Sequence, residues 1–348
     1  MANSKIKLAI IGMGRMGITH YSIINSHPDV EITAIADTSS LVLNLMKKYL
    51  RGINTYNDYK KLLQNENLDA IIICTPPALH YPIALEAAQK GIHVFSEKPF
   101  TTNHKKALEL ADLFKQKNLI NQVGYVNRFN DIFRTVKQYI ENEIIGKVIR
   151  FKSEMYSRTI TKAEEGNTWR DSRENGGGAV YEVASHAIDL VNFLIGKPDK
   201  VTGTSMTSVF SKHVEDAVNA TFLYRNGISG TLNVNWSDES FRKPTNKIEI
   251  FGSQGKILAD QHGIKVFMKS SSPENNLRLG WNTIYITDIF HSVPFYVRGN
   301  EFTSQLYHFI DCISGKETKN YCTFSDAKDT LDIIESIFND FELNGKLL

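Results

Sequence analysis

Gly12, Gly14 and Gly17 lie within the stretch "GMGRMG", directly after the apolar run "KLAII" and before a helical pattern. Bare backbone at these three places suits the binding of a phosphate. The first glycine permits a tight turn, the second lets the main chain approach a pyrophosphate, and the third allows close helix-to-strand packing. The first free N–H groups of the helix then face the anion. Alone, the pattern is also met in ordinary strand-to-helix turns. Asp37 narrows the choice, because it closes a second apolar run, "ITAIAD", about 20 residues after Gly17, where a carboxylate accepts hydrogen bonds from a ribose diol. The expectation is a dinucleotide seat made by Gly12, Met13, Gly14, Arg15, Met16, Gly17 and Asp37. The Asp37 charge repels a 2′-phosphate and the following "TSS" offers no arginine, so NAD(H) is expected ahead of NADP(H).

Three further stretches carry groups capable of chemistry. "CTPPALHY" follows a third apolar run, at the strand edge where open α/β sheets bind ligands. There Thr75, Pro76, Pro77 and His80 read equally well as a stiff helix-starting loop and as a ligand-contacting one. In "FSEKPF", Glu97 and Lys98 are ionisable residues ending an apolar strand. A surface ion pair is the ordinary fate of such neighbours, but a lysine at this edge can hydrogen-bond a substrate oxygen and stabilise alkoxide character. "GGGAVYEVASHAIDLVNFLIG" sets Glu182, His186 and Asp189 at i, i+4 and i+7 on one helical stripe. A satisfied polar stripe is the plain reading. Two metal ligands are the other, yet nothing like H-E-x-x-H is present, and no metal is expected.

These groups must be positioned by regular elements. Through residue 125, "IKLAIIG", "VEITAIAD", "DAIIICTPP", "IHVFSEKP" and "INQVGY" read as strands, separated by helical patterns over Met16–Ser26, Ser40–Tyr49, Leu79–Lys90 and Thr102–Lys117. Repeated β-α-β with continuous apolar strands predicts a doubly wound parallel sheet with right-handed crossovers. Beyond Tyr125 the pattern changes to longer alternating strands, with hairpin signals at "RNG" and "SQG" and helices near 131–141, 178–194, 301–314 and 325–341. The fold expected is α/β: a Rossmann domain over residues 1–124, followed by an α+β domain over 125–348 with an open, mostly antiparallel sheet. The polar, glycine-rich stretch Arg158–Gly178 is long for an idle loop.

Composition excludes several classes. Hydrophobic residues at 42%, charged residues at 22% and a net charge of +2 give no basic footprint for nucleic acid. No apolar stretch approaches the roughly 18 residues that a membrane span needs. "MANSKIKLAII" leaves no room for a signal peptide, and three cysteines without a C-x-x-C suit a reducing compartment, so the expected setting is the cytoplasm.

"GMGRMG", Asp37, "TPPALHYPIALEAAQKGIHVFSEKP", "GYVNRF" and "GGGAVYEVASHAID" resemble, across nearly the whole chain, the Gfo/Idh/MocA family of glucose-fructose oxidoreductases and inositol dehydrogenases. The resemblance implies NAD(P)-dependent hydride transfer to or from a carbinol carbon of a sugar, polyol or sugar derivative. It gives Lys98 the place of the family lysine that contacts the reacting oxygen and His186 that of the acid/base histidine. Glu182 stands where many members carry aspartate, as a catalytic or substrate-binding carboxylate one methylene longer. Asn127 stands where some members present an arginine to substrate, and Trp169-Arg170 resembles a loop element near the nicotinamide. Thr75, Pro76, Pro77, His80, Glu97 and Lys98 are implied on the cofactor side. The implied mechanism holds the substrate hydroxyl between Lys98 and His186, where the two domains meet. Free histidine titrates near 6.5 and suits proton exchange, whereas lysine near 10.4 stays a charged donor. An NAD-dependent glycosidase of the same fold, a non-enzymatic dinucleotide-sensing regulator and a reductase of another carbonyl or imine remain alternatives. Family members commonly cover the open sheet with another subunit, which implies a homodimer or homotetramer.

Overall fold

The apolar runs of the first half pair side by side as parallel strands, since a strand buried on both faces needs its neighbours on both edges and helices above and below. The computed structural model describes residues 5–162 and 168–345. Strands β1 (Ile6–Ile11), β2 (Val30–Ala36), β3 (Asn54–Tyr56), β4 (Ala70–Ile73), β5 (His93–Ser96) and β6 (Asn121–Val123) form one sheet in the order β3-β2-β1-β4-β5-β6. Every pairing in it is parallel. This is the order of a dinucleotide-binding fold, whose direction of winding reverses between β1 and β4. The intervening helices are α1 (Arg15–Ile24), α2 (Ser40–Tyr49), α3 (Tyr59–Asn65), α4 (His80–Gln89) and α5 (His104–Gln116). Ser39, Asp58 and Asn103 cap α2, α3 and α5 through their side-chain oxygens. The short β3 and α3 carry too few periodic positions to stand out in the sequence.

The second sheet follows after α6 (Asp131–Glu141). It consists of β7 (Val148–Tyr156), β8 (Lys200–Thr207), β9 (Ala217–Leu223), β10 (Ser229–Asn235), β11 (Thr245–Gly252), β12 (Gly255–Asp260), β13 (Gly263–Met268) and β14 (Gly280–Tyr285). Its order is β14-β13-β12-β11-β7-β10-β9-β8, antiparallel except for the β7–β10 pair. Buried and half-exposed residues alternate strictly along β11, so one face is core and the other is not. The hairpins expected at "RNG" and "SQG" join β9 to β10 and β11 to β12, and Gly227 takes a left-handed φ of 88° in the first. Helix α7 (Ser185–Leu194) lies against this sheet at β7.

The chain forms two compact units, and they are not two continuous stretches. One comprises residues up to Val126 together with Val293–Lys328; the other comprises Asn127–Ser292 and the residues from Asp329. The first unit thus takes in a late segment of the chain as well as its N-terminal stretch. After α8 (Ile286–Ile289), helix α9 (Asn300–Ile313) buries Leu306, Phe309 and Ile310 in a cluster with Leu8, Ile10, Ile23 and Phe95. An amphipathic helix has to bury its apolar face, and here the cover is the parallel sheet. Helix α10 (Phe324–Asn344) follows. Among the described residues no helix is long and apolar enough to cross a membrane.

Candidate active site

In the first unit the three glycines perform three different steric tasks. Gly12 has a φ of 94°, and a Cβ there would lie 2.7 Å from the Cys74 carbonyl, so the loops after β1 and β4 touch at this point. A Cβ on Gly17 would collide with the Gly12 carbonyl oxygen, which ties α1 to the turn. A Cβ on Gly14 would meet nothing within 4 Å. Gly14 is also the N-cap of α1, which has no side-chain cap, unlike α2, α3 and α5. Open space thus faces an uncapped helix N-terminus flanked by Arg15 and Met16, an arrangement that suits a phosphate.

Asp37 closes β2 and joins this loop: its carboxylate accepts the Met13 N–H at 2.7 Å and the Ser39 N–H at 2.8 Å. Opposite, after β4, the Thr75 hydroxyl is buried with no hydrogen-bond partner, while Pro77 opens a short 3-10 turn. An orphaned hydroxyl at the switch point is a second sign that a polar group belongs there. The residues present fit a dinucleotide.

His80 and Glu97 turn inward. The His80 ring lies between two carbonyls, with Nδ1 2.8 Å from Pro99 and Nε2 2.8 Å from Thr75. Burial holds its pKa below the ordinary value of 6.5, against the pull of those carbonyls. It ties the Thr75 loop to the Lys98-Pro99 loop. The Glu97 carboxylate meets His20 of α1 at 2.7 Å. Burial pushes Glu97 up, but His20 and Lys98 outweigh it and leave the carboxyl below its ordinary 4.5. Gly124 passes close by, since a Cβ there would lie 3.2 Å from that carboxylate. Lys98 is partly exposed at the end of β5.

In the second unit the helical stripe expected from spacing is split. Val180–Ala184 forms a turn of π-helix before α7, a distortion frequent at functional sites. From Ala179 to Val191 only Glu182 and His186 remain partly exposed. Asp189 leaves the stripe for the interior, where Arg128 grips it through two nitrogens at 2.8 and 2.9 Å, both side chains being nearly fully buried. Asn127, just before Arg128, is itself buried, and its carbonyl accepts the Asn130 N–H.

The glycine run seats this helix. Gly178, with φ 95°, lies so close to the Glu215 carboxylate that a Cβ would strike it, and Glu215 accepts the Val180 N–H at 2.9 Å. Burial raises the Glu215 pKa above 4.5, and its second oxygen makes no hydrogen bond. Gly177 leaves no room for a Cβ beside the Arg170 carbonyl, which accepts the Gly178 N–H at 3.1 Å. Arg170 in turn ion-pairs with Glu182, Nε to Oε2 at 2.8 Å, and its guanidinium lies 4.5 Å from the Trp169 ring centre. Residues 163–167 of the loop expected at Arg158–Gly178 lie outside the described residues.

Sequence reasoning missed His20, Arg128 and Glu215. Each is a polar residue that finds its partner far along the chain, and only for Arg128 did a quoted stretch, "GYVNRF", contain it. Among the described residues no group of three or more His, Cys, Asp and Glu side chains is placed to hold a metal.

Residues 6–125 match the model of the Gfo/Idh/MocA oxidoreductase family with its NAD-binding Rossmann fold, and residues 133–258 match the model of the Gfo/Idh/MocA C-terminal domain. An uncharacterised oxidoreductase of Schizosaccharomyces pombe is 34% identical over 200 residues, which cover 57% of this chain and 53% of that protein. The chain thus spans about half the length of that curated relative. The scyllo-inositol 2-dehydrogenase (NAD(+)) of Bacillus subtilis is 25% identical over 356 residues, covering 98% of this chain and 95% of its own. A solved structure of levoglucosan dehydrogenase, in complex with NADH and levoglucosan, shares the fold with a TM-score of 0.87 at 20% identity, covering 98% of both chains. On its glycine loop, its strand order and these two matches in succession, the chain belongs to the Gfo/Idh/MocA oxidoreductase family.

Proposed function

We propose that this protein is an NAD(H)-dependent oxidoreductase acting on a carbinol carbon of a sugar, polyol or sugar derivative. The observation that carries the reading is the contrast among the glycines: Gly12 and Gly17 are walled in by backbone, whereas Gly14 opens onto free space at an uncapped helix end. The scyllo-inositol and levoglucosan enzymes support a polyol or sugar as substrate.

The main-chain N–H groups at the start of α1 would hold the pyrophosphate, and Asp37, already fixed by Met13 and Ser39, would accept from the ribose hydroxyls. The chemistry that a bound nicotinamide would supply is hydride exchange with the carbinol carbon. Lys98 donates a hydrogen bond to the reacting oxygen and stabilises its negative character. His186 takes the hydroxyl proton at Nε2, the ring nitrogen opposite the buried Nδ1. His80, bonded to the Pro99 carbonyl, and Glu97, which accepts the Lys98 N–H, hold the backbone on either side of the Lys98 side chain. Trp169 and Arg170 belong to the cofactor side, and Asn127 and Glu182 to the substrate side.

Absorbance of the reduced cofactor, followed over a panel of polyols, aldoses and nucleotide sugars with NAD+ and NADP+, tests this. Net turnover of NAD+ is expected. Lys98→Ala and His186→Ala should each lower turnover by roughly 10²-fold or more while NADH affinity stays near that of the unmodified protein. Near-normal turnover in both variants would remove the proposed pair, and redox-neutral cleavage of a glycoside would favour the glycosidase alternative.

Assembly and setting belong to the same reading. The half-exposed face of the second sheet mixes apolar and paired charged groups: Arg150 over Phe251, Lys256 with Glu249, Phe267 against Trp281. We infer a dimer or tetramer formed through it, and light scattering that gives the monomer mass at micromolar protein would refute this. The three cysteines form no disulfide, which suits a cytoplasmic setting.

A further inference from the structure

A buried pair inside the first unit joins the helix that starts after Gly14 to the loop that carries Lys98. His20, on α1, is fully buried, with its ring edge-to-face against Phe95 of β5. Its Nε2 lies 2.7 Å from Glu97 Oε1. Its Nδ1 is buried with no hydrogen-bond partner among the described residues, so a proton there would lack an acceptor. The ring proton therefore belongs on Nε2 and is donated to Glu97. The other carboxylate oxygen, Oε2, accepts the Lys98 N–H at 3.2 Å, and Gly124 closes in at the same distance from the carboxylate. One oxygen is thus fixed on α1 and one on the lysine loop. Burial works against the Glu97 charge, and His20 and Lys98 outweigh it. Cys74 after β4, His80 of α4 and Arg298 before α9 are the other titratable groups that feel this carboxylate.

We propose that His20 is a positioning residue for hydride transfer: through Glu97 it ties the lysine loop to the helix whose N-terminus seats the pyrophosphate, and it satisfies a carboxylate that would otherwise draw the Lys98 ammonium away from the reacting oxygen. The inference rests on the dehydrogenase reading and adds to it a residue from the core of the first unit. A buried carboxylate stripped of its donor is costly, and Lys98, next in the chain, is the cation it would recruit.

The test uses the full-length protein with the sugar or polyol that it turns over fastest. His20→Gln sets an amide N–H near the place of the Nε2 proton, whereas His20→Leu fills the space without a donor. His20→Leu should lower kcat about tenfold or more, the worth of a hydrogen bond to a charged group, with KM and NADH affinity within about threefold of the unmodified protein. His20→Gln should recover most of kcat. The double variant His20→Leu/Glu97→Gln should be no worse than the poorer single variant, because the two residues act as one unit. A merely structural histidine would lower stability to urea and leave kcat of the folded protein alone. That pattern would overturn the proposal, as would additive losses or a His20→Gln variant no better than His20→Leu. Glu97→Gln keeps a single acceptor oxygen for two donors, so it should lower kcat in the same way. Unchanged kcat there overturns the proposal even where the His20 variants do not fold. A readout free of turnover separates it from the function it rests on. By NMR, the unmodified protein should carry the His20 proton on Nε2, and the Glu97 carboxyl should titrate at higher pH in His20→Leu than in His20→Gln. A proton on Nδ1, or a Glu97 titration that His20→Leu leaves in place, would sink the positioning role even in an active dehydrogenase. The expected spectra from a protein that turns over nothing in the panel would keep the pair but remove the reaction it serves, which also overturns the proposal.

Discussion

Replacing Gly14 by alanine should separate binding from folding. Gly14 has a φ of −71°, which any residue adopts, and the added methyl would meet nothing within 4 Å. Alanine at a helix N-cap is poorer than glycine by some tenths of a kcal/mol, and the lost freedom of the unfolded chain offsets about 0.4–1 kcal/mol. The net change in stability should therefore stay within about 0.5 kcal/mol. The same methyl stands where a pyrophosphate must approach the N-terminus of α1. Pushing the phosphate away weakens one or two hydrogen bonds to a charged group, each worth about 1.5–3 kcal/mol, so NADH should bind roughly 10- to 100-fold more weakly or worse. Gly17→Ala is the control, because its Cβ would collide with the Gly12 carbonyl and must lower stability and binding together. Urea unfolding and NADH fluorescence titration read the two quantities on the same samples. Unchanged NADH affinity in Gly14→Ala would refute the phosphate seat, and a shift of several kcal/mol in its unfolding would refute the assignment of open space.

Unmodified protein should bind NAD(H) more tightly than NADP(H), and Asp37→Ala should narrow that ratio while also loosening the loop that Asp37 holds through Met13; calorimetric titration with both cofactors checks it. Arg128→Met takes the guanidinium away from the buried Asp189 carboxylate, and should cost about 3–5 kcal/mol of stability by urea unfolding, much of it recovered in Arg128→Met/Asp189→Leu. A loss under about 1 kcal/mol would mean that the pair is not the buried anchor it looks to be. Glu215 has its pKa raised by burial, so the native state keeps its proton longer than the unfolded chain does. Its contribution is complete below the ordinary 4.5 and is lost as pH rises from there through the higher native value. Glu215→Gln should therefore gain in melting temperature relative to the unmodified protein as pH is raised from 4 toward neutrality, and a constant difference would contradict the burial effect.

Much of this protein was legible along the chain because local chemistry dictates it. Continuous apolar strands alternating with helical periods can only be satisfied by a parallel sheet covered on both faces, and the spacing of Gly12, Gly14, Gly17 and Asp37 is set by one turn, one helix start and one strand end. The strict alternation of β11 likewise announced a sheet with one open face. What the tertiary structure alone decided are the long-range choices among polar partners. Spacing put Glu182, His186 and Asp189 on one stripe, but a π-turn and a buried Arg128 drew Asp189 inside, while Glu182 found Arg170. Glu97 sits beside Lys98 in sequence yet points to His20 on α1, and α9 returned from the far end of the chain to cover the first sheet. Periodicity reports which face a residue takes within its own element; which distant group satisfies a buried charge depends on where other elements pack, and no short window of sequence holds that information.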